Sequence, residues 1–217
     1  MENKTIIFVC GAFHGEWCWN ENFVPFFKNR GYEIKIHVLS DGAKNVEESI
    51  EKLKEITSKI KGEFTIISHS IGNLFVNEYL MKGHRKPASL VILNPYPVNK
   101  KFINAVRIAK RFFCLKNKEL YFSNTKKDVN KYIDLLKKEE PSGIKSLTVC
   151  HKYNKSCVRG IPVLIIGSLN DKCIPLNSLL DTMKLYDGKL IIYRNVCHDS
   201  MLDSEWESIA GDIAEFI

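Results

Sequence analysis

The stretch Glu63 to Phe75, EFTIISHSIGNLF, constrains this chain more than any other. Phe64 to Ser68 is a short apolar, β-branched run entered from Gly62, the composition of a strand covered on both faces. From Ile71 the apolar period changes: Ile71, Leu74, Phe75 and Tyr79 share one helical face. Ser68-His69-Ser70-Ile71-Gly72 therefore occupies a tight strand-to-helix turn, which drives its central residue out of the sheet top. The spacing is that of a G-x-S-x-G nucleophile elbow with serine at the first glycine. It would expose the Ser70 hydroxyl beside a helix N-terminus that favours developing negative charge. An ordinary turn with a solvent-facing serine has the same appearance, so the meaning rests on what else reaches that edge.

The flanking sequence predicts an alternation of strands and helices. Strands are expected at Thr5–Cys10, Glu33–Leu39, Ser89–Leu93, Pro162–Gly167 and Lys189–Arg194 in addition to the elbow strand. Helices are expected from about Glu21 to Asn29, ended by Gly31, and from Val46 to Ile60, opened by an Asn45/Glu48 capping box. Others run from the elbow to about Lys82, from Leu176 to Tyr186, and from Ser204 to Phe216. Six strands in this rhythm predict an α/β fold with a mostly parallel sheet and helices on both faces. Between about Lys100 and Gly160 the rhythm breaks and only helical patterns remain, with a Pro141-Ser142-Gly143 interruption. The expected division is a core of 1–98 and 160–217 with a helical cap over 99–159. The cap would sit above the carboxyl edge of the sheet, where such folds bind ligands.

Composition narrows the function classes. A chain of 217 residues with 45% hydrophobic and 26% charged content is an ordinary globular domain. No apolar run approaches membrane-spanning length. The opening MENKTIIFVCG enters a strand too soon for a secretory signal, so a cytoplasmic protein is expected. Seven cysteines, an odd and widely spaced set, point to reduced thiols. Cys150, His151 and Cys157 lack a C-x-x-C pair, so no metal and no cofactor are expected. The net charge of +7 is attached to no reader motif, which argues against a nucleic-acid partner. The expected partner is a small-molecule ester, with the protein a monomer or homodimer.

Each remaining chemical candidate directly follows a strand. Ser70 follows the third, Asp171 in GSLNDKCIP the fifth, and His198 in NVCHDS the sixth. A serine hydroxyl is a weak nucleophile until an imidazole takes its proton and a buried carboxylate fixes the imidazole tautomer. Each partner also has a plain reading. Asp171 would cap the helix after Pro175, His198 would be a loop histidine, and His69, Asp199 and Asp203 compete for the assignment. All three residues meeting on one sheet edge, in the order Ser, Asp, His, favour the catalytic reading.

With these motifs in place, the sequence resembles the α/β-hydrolase superfamily. Gly11-Ala12-Phe13-His14-Gly15-Glu16-Trp17-Cys18-Trp19 is similar to the H-G-x-x-H-G-x-W-x-W loop of plant methylesterases and hydroxynitrile lyases. The resemblance covers the first 40 residues, the elbow and the two late loops. It implies a Ser70–His198–Asp171 triad and an oxyanion hole from the backbone N–H groups of Ala12 and Ile71. Three positions depart from the pattern: Cys10 replaces the first histidine, Ser68 a glycine, and Asn73 a second glycine. Ser68 and Asn73 add bulk where strand and helix approach, so adjustment is expected there. Asp199 stands where the lyases carry lysine, which argues against cyanohydrin cleavage. The implied activity is hydrolysis of acyl or aryl esters.

Specificity is less determined. Phe13, Trp17, His69 and Tyr96 are the expected substrate-pocket residues, although Trp17 and Trp19 fit equally well as core beneath the first helix. Between Asn99 and Lys118 there are seven basic residues and no acid. These form either a lid for an anionic lipid or acyl substrate, or the solvated outer face of a cap helix. The first alternative would make the protein a lysophospholipase or thioesterase. A ligand-binding protein on the same scaffold is the third reading.

Overall fold

The computed structural model describes residues 4–39, 43, 45–97, 117–122, 125, 128–138 and 153–217. Six strands, β1 (Thr5–Val9), β2 (Glu33–His37), β3 (Phe64–His69), β4 (Ser89–Leu93), β5 (Val163–Ser168) and β6 (Lys189–Tyr193), form one sheet in the order 2-1-3-4-5-6. Every pairing is parallel. The inner strands β1, β3, β4 and β5 are buried at every residue, as their uninterrupted Ile, Val and Leu runs require. The edge strands β2 and β6 retain exposed positions.

The helices are α1 (Trp17–Asn20), α2 (Phe23–Lys28), α3 (Val46–Ser58), α4 (Gly72–Met81), α5 (Asn117–Phe122), α6 (Asn130–Lys138), α7 (Leu176–Tyr186) and α8 (Trp206–Phe216). The Asn45/Glu48 start of α3 forms as expected, the Glu48 N–H donating to Asn45 Oδ1 at 2.9 Å. The helix expected over about 21–29 is α2, slightly shorter at each end, and α1 precedes it as a separate short helix. Trp17 and Trp19 are therefore helical residues of α1, upstream of that expectation. Trp19 stacks on Phe8 with ring centroids 4.6 Å apart and is fully buried.

In the expected cap, α5, α6 and a 3₁₀ turn at Lys155–Val158 are described. The basic run from Lys100 to Lys116, the Pro141 interruption, Cys114, Cys150 and His151 lie outside the described residues. The α6 residues Tyr132 and Lys131 both donate to the Glu21 carboxylate, at 2.6 and 2.8 Å, which fastens α6 over the turn between α1 and α2. No helix among the described residues is long and apolar enough to cross a membrane. The five described cysteines, Cys10, Cys18, Cys157, Cys173 and Cys197, are free thiols.

The strand order reverses at β1, whose neighbours are β2 on one side and β3 on the other. The connections leaving β1 and β3 diverge there and open a crevice at their carboxyl ends. Helix α4 closes tightly on this point. A Cβ at Gly72 would lie 2.5 Å from the Cys10 carbonyl oxygen, a backbone atom that has no room to yield. Gly211 in α8 has no neighbour within 4 Å of such a Cβ. Gly72→Ala is therefore expected to lose about 1–3 kcal/mol of stability. Gly211→Ala should gain about 0.5–1 kcal/mol from helix propensity alone. Urea midpoints at unchanged slope test the pair.

Candidate active site

Ser70 leaves β3 with φ of 51°, a left-handed conformation that costs a non-glycine residue about 1–3 kcal/mol and persists only where its surroundings enforce it. The enforcement is visible. The Ser70 N–H donates to Leu93 O at 3.0 Å, and its carbonyl accepts from Tyr96 N at 3.2 Å and Asn73 N at 3.3 Å. Gly11 lies alongside, where a Cβ would stand 2.9 Å from His69 Nδ1 and 3.1 Å from Ser70 Cβ. The two bulky departures from the glycine pattern are absorbed by hydrogen bonds. Ser68 Oγ donates to Val91 O at 3.4 Å, and Asn73 Nδ2 donates to Tyr96 O at 3.1 Å. Phe13 and Asn94, with φ of 63° and 47°, also hold left-handed backbone on this edge.

Asp171 and His198 meet across the loops after β5 and β6. His198 Nδ1 donates to Asp171 Oδ2 at 2.9 Å, and both side chains are buried. The same Oδ2 accepts from Asn94 Nδ2 at 2.9 Å. Oδ1 accepts from the N–H groups of Cys173 and Ile174 at 2.7 and 2.9 Å. Asp171 thus both pairs with the imidazole and caps the turn leading into α7. Burial alone would raise the Asp171 carboxyl. The His198 charge and hydrogen bond, with the Ile174 N–H and the Asn94 amide, outweigh burial and hold it below the usual carboxylate range. Burial likewise opposes a charged His198, but the Asp171 carboxylate and the adjacent Cys173 sulfur lift it well above the usual imidazole range.

With Nδ1 engaged by Asp171, Nε2 is the free nitrogen of His198. It is buried and makes no hydrogen bond, so it is not bonded to Ser70 in this conformation. Catalytic contacts of this kind often tighten only around substrate. Among the described residues, the backbone N–H groups of Ala12 and Ile71 donate no hydrogen bond. Two unspent donors therefore flank the elbow, one from the loop after β1 and one at the start of α4.

A second polar cluster lies beneath. His14 Nε2 is 2.9 Å from Asp199 Oδ2, His14 Nδ1 is 2.6 Å from Ala12 O, and His69 Nε2 donates to His198 O at 3.2 Å. Burial, with the nearby His198 and His14, keeps His69 well below the usual imidazole range, hence neutral. His14, His69 and Asp199 offer ligand-type atoms within 4.8 Å of one another. Both ring nitrogens of His14 and Nε2 of His69 face hydrogen-bond partners, while His69 Nδ1 and Asp199 Oδ1 are buried without one among the described residues.

No family model matches the sequence, and no curated protein matches it. Solved structures do. MenH from S. aureus superposes with a TM-score of 0.75 at 15% identity, over 100% of this chain and 94% of that one. A lipase from Acinetobacter baumannii AYE, described as putative, gives 0.75 at 16%, covering 99% and 83%. Polyneuridine aldehyde esterase gives 0.71 at 15%, covering 98% and 99%. The chain has the α/β-hydrolase fold.

Within this fold, Ser70, Asp171 and His198 directly follow β3, β5 and β6 at the carboxyl edge of the sheet, with Ala12 in the loop after β1 and Ile71 at the start of α4. Of the four expected pocket residues, Phe13 and Trp17 are partly exposed and Tyr96 is nearly buried. His69 is fully enclosed beneath His198, with its ring 4.8 Å from that of His198. Trp17 stacks on His14 and Tyr132, whereas Trp19 belongs to the core. Asn94, Cys173 and Tyr121 were not singled out from the sequence. Asn94 carried one usable signal, an asparagine at a strand end before proline, where left-handed backbone favours that residue. Asp203 accepts from Cys197 N at 3.0 Å and Glu205 N at 3.1 Å, and His198 Nδ1 pairs with Asp171 instead.

The electrostatics give a direct expectation. The His198 imidazole should titrate above about 6.5, the ordinary value. In Asp171→Asn the carboxylate is gone while burial remains, so the titration should move to lower pH. NMR titration of the ring protons in both proteins measures the difference, and no downward shift in the variant would contradict the pairing.

Proposed function

We propose that the protein is a serine hydrolase that cleaves carboxylic esters through Ser70, His198 and Asp171. The observation that carries the reading is a left-handed serine at a strand-to-helix turn, on the same edge as a buried His–Asp pair. The unspent N–H groups of Ala12 and Ile71, and structural similarity to an esterase and a lipase, support it. The triad, the pocket and the cap are parts of the proposal.

In this mechanism Ser70 Oγ attacks the ester carbonyl carbon as its proton passes to His198 Nε2. Asp171 holds Nδ1–H and stabilises the imidazolium. The carbonyl oxygen becomes an oxyanion facing the N–H groups of Ala12 and Ile71, and one such donor is typically worth about 3 kcal/mol of barrier. His198 then protonates the departing alcohol, and water, activated by the same nitrogen, releases the acid and regenerates Ser70. The elevated basicity of His198 confines the active, neutral form to the alkaline side, so turnover should rise with pH through the raised imidazole pKa. Phe13, Trp17 and Tyr96 line the pocket, with His69 under its floor. An acyl or aryl group suits these aromatic walls. A lysophospholipase or thioesterase acting on an anionic acyl substrate is the variant in which the basic 99–118 run contacts the ligand.

One observation favours a binding protein with little turnover: the Ser70–His198 hydrogen bond is not formed. The deciding experiment is p-nitrophenyl ester hydrolysis over graded chain lengths, with fluorophosphonate labelling of Ser70. Ser70→Ala and His198→Ala should abolish turnover, and Asp171→Asn should lower kcat by about 10²–10⁴. Folded wild-type protein that neither turns over nor labels would leave the binding reading.

A further inference from the structure

The site contains two His–Asp pairs, and the proposed mechanism uses only one. The other, His14 with Asp199, is as deeply buried, its side chains 1% and 0% exposed. Its protons can be counted from its partners. His14 Nδ1 faces the Ala12 carbonyl at 2.6 Å, and a carbonyl only accepts, so Nδ1 carries a proton. Nε2 faces Asp199 Oδ2 at 2.9 Å, so one further proton lies between imidazole and carboxyl. Whichever atom holds it, the pair is neutral as a unit, and the bond from His14 Nδ1–H to the Ala12 carbonyl keeps its direction.

Each end of that chain reaches a component of the proposed chemistry. The bond from His14 to Ala12 O closes a turn around Phe13, whose φ of 63° requires support from outside the turn. Ala12 is the residue whose N–H is unspent beside Ser70. At the other end Asp199 is the chain neighbour of His198, and its N–H donates to the Tyr121 carbonyl of α5 at 3.2 Å. The Tyr121 ring meets the rings of both His14 and His198, at 5.6 and 5.8 Å. Asp199 Oδ1 is buried without a hydrogen-bond partner, 3.9 Å from His69 Nε2. A carboxylate serving only the fold would be expected to satisfy both oxygens. The side-chain hydrogen bond it does make goes to His14.

We propose that His14 and Asp199 form a positioning pair that sets the oxyanion donor of Ala12, tying the loop after β1 to the loop that carries His198 and to α5. The inference rests on the hydrolase reading of the preceding subsection. The pair does not touch substrate. Asp199 acts through His14, and His14 through the Ala12 carbonyl, on the aim of a donor that matters only when the carbonyl oxygen becomes charged.

The decisive variant removes both partners at once. His14→Phe with Asp199→Leu fills the same space without leaving a lone buried charge, a replacement that is often near neutral for stability. It leaves the Ala12 carbonyl unpinned. Loss of an oxyanion donor typically costs about 10²–10³ in kcat. The double variant and Asp199→Leu should therefore lose about 10² in kcat on p-nitrophenyl butyrate with KM little changed, the pattern of an interaction made only in the transition state. Asp199→Asn, which can still hydrogen-bond His14 Nε2, should recover part of that loss. Phosphonylation by a fluorophosphonate should slow in parallel. There the Ser70 Oγ–phosphorus bond forms, fluoride leaves, the proton passes to His198, and the phosphoryl oxygen occupies the same hole.

Folded apolar variants with wild-type kcat and labelling rate would overturn the inference while leaving the hydrolase reading intact. An Asp199→Asn enzyme as slow as Asp199→Leu would also overturn it. So would loss of folding in both apolar variants, because the pair would then serve the fold. Wild-type protein that cannot be labelled removes the hydrolase reading, and this inference with it.

Discussion

Helix α4 lies against the end of β1 because Gly72 has no side chain, and the site depends on that approach. The Cys10 carbonyl would lie 2.5 Å from a Cβ at Gly72. Any side chain there would lift the helix start, and with it Ile71 and the strained backbone of Ser70, away from the loop after β1. Gly11 meets the same limit from the other side, against His69 and Ser70. Two missing side chains thus let three backbone segments crowd around one serine. Three of the four non-glycine residues with left-handed backbone among the described residues, Phe13, Ser70 and Asn94, gather here, and hydrogen bonds around them hold the strain.

Buried carboxylates then lock the surrounding loops. Asp171, Asp199 and Asp203 are each nearly or fully enclosed, and an enclosed carboxylate without partners is strongly unfavourable. Asp171 draws together β4 through Asn94, the start of α7 through two N–H groups, and the β6 loop through His198. Asp203 folds the β6 loop back on itself at Cys197. Asp199 reaches the β1 loop through His14 and α5 through its own N–H. Because each group must be satisfied, each fixes the relative positions of segments far apart in the chain.

The strands and their order of appearance were readable in the residues because parallel inner strands must be apolar throughout, a pattern few other elements share. The helix from Leu176 to Tyr186 matched its expected limits, and Asn45 marked the start of α3 through its cap. The short helix α1, just before the helix expected over about 21–29, was not readable, since its place is set by the packing of Trp19 on Phe8, a contact between separate elements. The same reason hid Asn94 and Tyr121. Asn94 looked like turn punctuation, and Tyr121 sits in a segment whose helical pattern says nothing about the loop it will cover.

The sequence by itself determined the alternating α/β plan, the serine at a strand-to-helix turn, and the placement of Asp171 and His198 after later strands. These are local properties of period, glycine position and chain order. Chain order also pointed to Asp171 as the partner of His198, but only the tertiary structure decided that Asp199 meets His14 rather than its own neighbour. Adjacent residues on a turning loop point in different directions, so adjacency carries no pairing information. The pairing is set by which loops the sheet order brings to one edge, and by the requirement that every buried charge find a partner there.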